Sequence, residues 1–177
     1  MMITIHPMHP KHAASVLRIY EQGLSTRQAT FNTIVPSWDE WDAAHLQHSR
    51  LVALEGDTVA GWVALSPVSV RLCYKGVAEL SIYILGSYRG KGVGNLLMQA
   101  LINESEQNGI WTLNSSTFPE NVASIKLQEK YGFRVIGYRE KVAEHYGVWR
   151  DTVLLERRSK RVGTHASTSA YTLTEQV

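Results

Sequence analysis

The chain has 177 residues, of which 44% are hydrophobic and 19% charged, a balance typical of one globular domain with a core. The formal net charge of +2 is too small to indicate a nucleic-acid-binding protein, and the single cysteine, Cys73, excludes an internal disulfide and suits a reducing cytoplasm. No apolar run approaches the roughly 18 residues of a membrane span, and the N-terminus lacks an apolar core of signal-peptide length. We therefore predict a cytoplasmic protein that binds neither nucleic acid nor membranes.

Hydrophobic periodicity predicts alternating strands and helices in the first half of the chain. Pro10 favours the first turn of a helix, and Ser37 and Glu40 have the spacing of a capping box. Gly56-Asp57 forms a turn between two strands, which predicts a hairpin. The predicted order is strand 2–6, helix 10–24, loop 25–36, helix 37–48, strand 50–55 and strand 58–66.

The second half contains the stretch around which we expect the fold to be organised. Its predicted elements are loop 67–76, strand 77–85, a glycine-rich turn, helix 93–106, strand 110–117, helix 122–130, and strands 133–142 and 148–157. This order predicts a mixed α/β domain over residues 1–158, with a largely antiparallel sheet and one parallel crossover. The tail, residues 159–177, has no hydrophobic period, and we expect it to be mobile or to dock opportunistically.

The glycine-rich turn is a candidate site for a pyrophosphate. It reads Arg-Gly-Lys-Gly-Val-Gly over residues 89–94 and leads directly into a helix, whose first N–H groups have no partner within the helix. Arg89 and Lys91 would add positive charge. Asn95 stands where a GxGxxG loop needs its third glycine, and no GxxxxGK[ST] run exists. The alternative is a basic turn before a surface helix.

Glu79 is the candidate general base. It lies inside the strand that precedes the glycine-rich turn, and strand alternation places it on one face with Ser81 and Tyr83. A carboxylate inside a central strand is costly unless it has a partner or a task, and partial burial would raise its pKa towards neutrality. The alternative is a glutamate paired with a cation at a sheet edge.

These residues match a known family pattern. Residues 89–94 fit [QR]-x-x-G-x-[GA], and together with Asn121 and Gly132-Phe133 they resemble the GNAT N-acetyltransferases. Three further motifs resemble the phosphinothricin acetyltransferase branch: Thr30-Phe31, Glu79-x-Ser81-x-Tyr83 and Gly147-x-Trp149-x-Asp151. The resemblance extends over residues 2–158. It implies a GNAT fold, whose sheet splays apart where the cofactor enters, and a homodimer.

The resemblance also implies acetyl-CoA as co-substrate. The implied cofactor-binding residues are Tyr83, Ile84, Leu85, Arg89, Gly90, Lys91, Gly92, Val93, Gly94, Asn121 and Ser124. Strand N–H groups near residues 83–85 would polarise the acetyl carbonyl. Gln128 stands where many family members have a tyrosine acid; an amide can donate a hydrogen bond to sulfur but cannot give it a proton. Tyr83 and Tyr131 are weak substitutes for that acid.

The implied reaction is direct acetyl transfer to the α-amine of a small amino acid or analogue, with Glu79 as base. The implied acceptors are phosphinothricin, methionine sulfoximine, methionine sulfone and arsinothricin, whose acetylation would give herbicide or antibiotic resistance. The candidate substrate-binding residues are Thr30, Phe31, Arg71, Tyr74, Lys75 and His145. Without the resemblance, we would expect the loop residues among them to be solvated, His145 to be a surface histidine and Trp149 to be a core residue.

Other readings stay open on the sequence. The same fold could acetylate a protein N-terminus, a ribosomal protein or a polyamine, or the chain could bind coenzyme A without catalysis. Gln128 favours this last reading and Glu79 opposes it. No metal site is predicted, because His6, His9 and His12 straddle two prolines, and Cys73 has no histidine partner that would make it a nucleophile.

Overall fold

One seven-stranded sheet with flanking helices organises the chain. The computed structural model describes residues 2–164, and the strand order in its sheet is β1-β2-β3-β4-β5-β7-β6. The strands are β1 (Thr4–Pro7), β2 (Leu51–Glu55), β3 (Thr58–Pro67), β4 (Val77–Ile84), β5 (Thr112–Thr117), β6 (Arg134–His145) and β7 (Val148–Arg158). The longer helices are α1 (Ala13–Ser25), α2 (Trp38–Ala44), α3 (Val93–Gln107) and α4 (Val122–Lys130). This is the predicted order of elements.

Two predicted elements end three or more residues away from their predicted C-terminal ends. The second helix ends at Ala44 rather than near His48, because His45 is extended and the Arg50 guanidinium donates to the carbonyls of Asp42 and His45. Strand β6 continues to His145 rather than ending at residue 142. It pairs with β7 through a two-residue turn, Tyr146-Gly147, in which both residues have positive φ, as a tight hairpin requires.

The sheet opens between β4 and β5. All neighbouring strands are antiparallel except this pair, which is parallel and is joined by α3. Its pairing stops at Glu79 opposite Asn114, although β4 continues to Ile84 and β5 to Thr117. The strands therefore diverge beyond Glu79, and the predicted splay is confirmed.

Apolar side chains cover both faces of the sheet. Strand alternation directs Leu80, Ile82 and Ile84 towards the α3 side, where they belong to the larger hydrophobic cluster. The other cluster joins α1 and α2 to β3, and its centre is Trp62, whose indole N–H donates to Val16 O at 3.1 Å. Tyr83 packs at the edge of this second cluster, so β4 is anchored from both sides.

The chain stays attached to the domain beyond β7. Ser159 is buried, and its hydroxyl donates to the carboxylate of Glu106 at 2.9 Å. The Arg158 guanidinium donates to the carbonyls of Trp111 and Val162. Ser159, Arg161, Val162 and Gly163 of the predicted tail thus have defined contacts, and residues 165–177 lie outside the described residues. Among the helices between residues 2 and 164, none is long and apolar enough to cross a membrane.

Candidate active site

A cavity of about 250 Å³ occupies the opening between β4 and β5. Its walls come from β4, β5, β7, α4 and the loop that follows α1. Most of its polar lining consists of hydroxyl and amide groups. The lining residues that sequence reasoning did not single out as site residues include Ser115, Ser116, Thr117, Phe118 and Thr152. A run of three consecutive hydroxyl residues in β5 was the available signal for three of them.

Glu79 lies in this cavity at the point where the strands separate. Its side chain reaches solvent, and the described residues contain no ion pair that involves it, so the sheet-edge alternative does not apply. Desolvation by the surrounding protein raises the pKa of Glu79, and the positive charge of Arg139 partly opposes this effect. Arg139 lies opposite Thr152 in the sheet, on the same face as that cavity residue, and sequence reasoning missed it.

A second cleft, of about 420 Å³, lies beside the glycine-rich turn. Gly90 and Gly92 have φ of 74° and 83°, a left-handed conformation that favours glycine, and Gly92 is the N-cap of α3. Between residues 2 and 164, the amides of Gly92, Val93 and Gly94 find no acceptor. Arg89 also lines the cleft. Free amides, a helix N-terminus and a cation fit a pyrophosphate.

We predict that Gly92→Ala raises the KM for acetyl-CoA about 10-fold and changes kcat by less than about 3-fold. A β-carbon at Gly92 would meet no atom within 4 Å, so the cost is backbone strain of about 1–2 kcal/mol, together with a narrower approach for an anion. Steady-state kinetics would measure both constants. Gly56→Ala is the matched control, because Gly56 also has positive φ and open space but lies in the distant β2–β3 turn. Equal KM values in the two variants would contradict the assignment.

Nine of the eleven predicted cofactor residues line the cleft or the cavity, and Leu85 and Lys91 do not. The Leu85 amide donates to Ala60 O at 2.9 Å and is therefore used within the sheet. Hydrogen-bonded and non-hydrogen-bonded pairs alternate in an antiparallel ladder, so the amides of Ile82 and Ile84 point towards the opening. The Lys91 ammonium lies over the Tyr88 ring, 5.2 Å from its centre.

The structure separates the three candidates for the leaving-group donor. Burial strongly raises the pKa of Tyr83, and nearby Tyr20 adds to this effect, so the phenol is a poor acid. The Tyr131 hydroxyl donates to the backbone oxygen of Asn95 and lines neither opening. Gln128 lines the cavity, is 1% exposed, and donates from Nε2 to the hydroxyls of Thr117 and Ser124.

Five of the six predicted substrate residues fall into two groups, and the sixth, His145, does not line the cavity. Thr30 and Phe31 line the cavity, and Phe31 packs edge-on against Phe118 with ring centres 4.8 Å apart. Arg71, Tyr74 and Lys75 lie on an exposed turn and are absent from the cavity lining. The Arg71 guanidinium lies over the Tyr74 ring at 5.6 Å. Within one chain, these three residues are not brought to Glu79.

The hairpin residues differ from expectation. His145 ends strand β6 and is buried (4% exposed) against Phe31 and Phe118, so it is not a surface histidine. Burial lowers the pKa of His145. Trp149 is 60% exposed rather than a core residue, because it pairs with Glu144 near the hairpin tip. Between residues 2 and 164, no group of three or more histidine, cysteine or acidic side chains is arranged to hold a metal.

Sequence comparison relates this chain to known acetyltransferases. Residues 16–133 match the acetyltransferase (GNAT) family. YwnH of Bacillus subtilis (strain 168), provisionally named a phosphinothricin acetyltransferase, is 32% identical over 160 residues, which cover 88% of this chain and 98% of YwnH. The L-methionine sulfoximine/L-methionine sulfone acetyltransferase of Pseudomonas paraeruginosa is 25% identical over 147 residues, which cover 80% of this chain and 86% of that protein.

Structural comparison agrees. The crystal structure of a GNAT-superfamily phosphinothricin acetyltransferase from Sinorhizobium meliloti, in complex with AcCoA, superposes with a TM-score of 0.84 at 24% identity and covers 98% of each chain. This chain therefore belongs to the GNAT acetyltransferase family. The predicted family, fold and acetyltransferase class are confirmed, and the relatives carry the names of the predicted branch.

Proposed function

We propose that this protein is a cytoplasmic N-acetyltransferase that moves an acetyl group from acetyl-CoA to the α-amine of a small amino acid or analogue. The observation that carries the proposal is the continuity of the two openings. The cleft beside the glycine-rich turn and the Glu79 cavity share five lining residues, among them Ile82, Tyr83 and Ser124. A cofactor seated on the glycine-rich turn could therefore extend along β4 and present its thioester beside the base.

The residues of this chain divide the chemistry between them. The glycine-rich turn binds the pyrophosphate, and acetyl-CoA supplies the activated acetyl group. Glu79 removes a proton from the acceptor ammonium, directly or through water, and its raised pKa suits a base that works near neutral pH. The backbone N–H groups of Ile82 and Ile84, which point towards the opening between β4 and β5, would donate hydrogen bonds to the acetyl carbonyl oxygen and polarise it. The AcCoA bound by the Sinorhizobium meliloti protein supports this choice of co-substrate.

The acceptor is inferred from the cavity and from the relatives. About 250 Å³ accommodates a small molecule, and the hydroxyl-rich lining suits a polar head. The nearby cation Arg139 favours an anionic acceptor over a polyamine. The names of the relatives support phosphinothricin, methionine sulfoximine and methionine sulfone as candidate acceptors. Arsinothricin is a further candidate, because its side chain ends in the same kind of tetrahedral group.

We propose a homodimer as the working form. Strand β6 is a sheet edge, and exposed apolar side chains lie along it and the adjoining hairpin: Val135, Ile136, Tyr138, Val142, Tyr146, Val148 and Trp149. An apolar sheet edge favours pairing with another chain. Sedimentation equilibrium should give twice the mass of one chain, and a monomer at micromolar concentration would contradict this proposal.

A thiol-release assay with acetyl-CoA tests the acceptor class. The panel contains phosphinothricin, methionine sulfoximine, methionine sulfone, arsinothricin, the standard amino acids, spermidine and a short peptide. We expect turnover on the amino-acid analogues and little on spermidine or the peptide. Turnover on only the peptide or spermidine would contradict the acceptor class. Coenzyme A binding without any turnover would contradict the enzyme assignment.

A further inference from the structure

The region shared by the cleft and the cavity marks where the thioester must lie. A pantetheine arm enters from the glycine-rich turn, and the acetyl group must reach Glu79, so the sulfur passes through the residues that line both openings. The shared residues are Ala29, Ile82, Tyr83, Asn121 and Ser124. Only three of them, Tyr83, Asn121 and Ser124, carry a polar side chain that could contact the sulfur.

Two of these three side chains are already held by other contacts, Asn121 by hydrogen bonds and Tyr83 by ring packing. Asn121 is the N-cap of α4: its Oδ1 accepts from the Ser124 amide, and its Nδ2 donates to Gln28 O, both at 3.3 Å. Tyr83 is held between Trp62 and Tyr20, with ring centres 4.8 and 5.1 Å away. Its ring therefore has little freedom to turn towards a substrate. The Ser124 hydroxyl is the remaining polar side-chain group of the shared region.

Gln128 controls the direction of that hydroxyl. Its Nε2 donates to Ser124 Oγ at 3.1 Å and to Thr117 Oγ1 at 3.3 Å. The serine oxygen is thus an acceptor in this contact, which leaves its own hydrogen for another partner. Within the described residues, that hydrogen has no acceptor. Buried Gln128 Oε1 has no hydrogen-bond partner among the described residues.

Resting on the proposed acetyl transfer, we propose that the Ser124 hydroxyl donates a hydrogen bond to the sulfur of acetyl-CoA as the thiolate leaves, and that Gln128 is the residue that positions it. Gln128 stands at the position where the sequence resemblance implies the tyrosine acid of many family members. Ser124 is in the first turn of α4, where the helix dipole also favours a negative charge.

The step balances without an added reagent. The acceptor ammonium gives one proton to Glu79, and its nitrogen then forms a bond to the acetyl carbon. As the tetrahedral intermediate collapses, the C–S bond breaks and its electron pair stays on sulfur. The nitrogen loses its second proton to water. Ser124 keeps its proton throughout and stabilises the thiolate by donation, and coenzyme A takes up a proton on release.

Two measurements on Ser124→Ala test the proposal. A hydrogen bond to a charged acceptor corresponds to about a 10- to 100-fold effect, so kcat should fall by that factor while the KM for acetyl-CoA stays within about 3-fold. The second readout is the ionisation of the coenzyme A thiol in the binary complex, followed by thiolate absorbance in the ultraviolet. Its ionisation constant should fall about 10- to 100-fold in Ser124→Ala.

Matched variants separate donation from packing. Ser124→Thr keeps the hydroxyl and should retain most of both signals. Gln128→Met keeps the side-chain length without the donors and should reduce both signals partially. An unchanged thiol ionisation in Ser124→Ala would overturn the proposal, whether KM rises or not. The thiol titration needs no acceptor, so it still reports on Ser124 if the panel shows no turnover and the proposed function itself fails.

Discussion

Glu79→Gln should lower kcat by about 10²- to 10⁴-fold and leave the affinity for acetyl-CoA unchanged. The glutamine has the same shape but cannot accept the ammonium proton, and a positioned general base contributes a factor of this size. Glu79 lines the cavity between β4 and β5 and is absent from the lining of the cleft beside the glycine-rich turn, where we propose that the cofactor binds, so cofactor binding should not change. Steady-state kinetics and calorimetric titration with coenzyme A measure the two quantities.

The pH profile adds a second check on Glu79. A base must be deprotonated, so kcat/KM of the wild type should fall as the pH drops through the pKa of Glu79, which lies above its ordinary value of 4.5.

Glu156→Gln is the matched control for Glu79→Gln. Glu156 lies on the same row of the sheet beyond Asn114, but it is paired with Arg134 at 2.9 Å. Similar activity losses in both variants would contradict the role of Glu79.

Gly23→Ala should destabilise the protein by up to about 2 kcal/mol and reduce activity. Inside a helix, replacing glycine with alanine normally stabilises the protein by about 1 kcal/mol. At Gly23, however, the new β-carbon would lie 2.5 Å from Cε1 and 2.6 Å from Cδ1 of Tyr83. The ring cannot retreat, because Trp62 stacks against it, and overpacking of this kind costs about 1–3 kcal/mol. Since Tyr83 lines both openings, its displacement should also disturb thioester placement.

Urea unfolding and kinetics would measure the two effects of Gly23→Ala. Gly137→Ala is the matched control, because a β-carbon there would meet only Leu154, at an ordinary 3.8 Å, and Gly137 does not have positive φ. We expect that variant to retain both stability and activity. A Gly23→Ala protein as stable and as active as the wild type would show that the Tyr83 ring is free to move.

Local patterns were sufficient for most of the fold. The Ser37–Glu40 capping box, the alternation around Glu79 and the glycine-rich turn before α3 all depend on neighbours close in sequence. The order of elements was therefore predictable. Local patterns could not predict where α2 ends, because Arg50, which donates to the carbonyls of Asp42 and His45, belongs to the next segment of the chain.

The sequence by itself determined the order of strands and helices, the glycine-rich turn before α3, and Glu79 as the candidate base, because each depends on residue spacing along a single element. Only the tertiary structure decided which side chains share the cavity. In the tertiary structure, His145 is buried against Phe31, whereas Trp149 is exposed. The loop residues Arg71, Tyr74 and Lys75 lie outside the cavity lining of one chain. The physical reason is that burial and side-chain proximity depend on how distant segments pack, and periodicity carries no information about that.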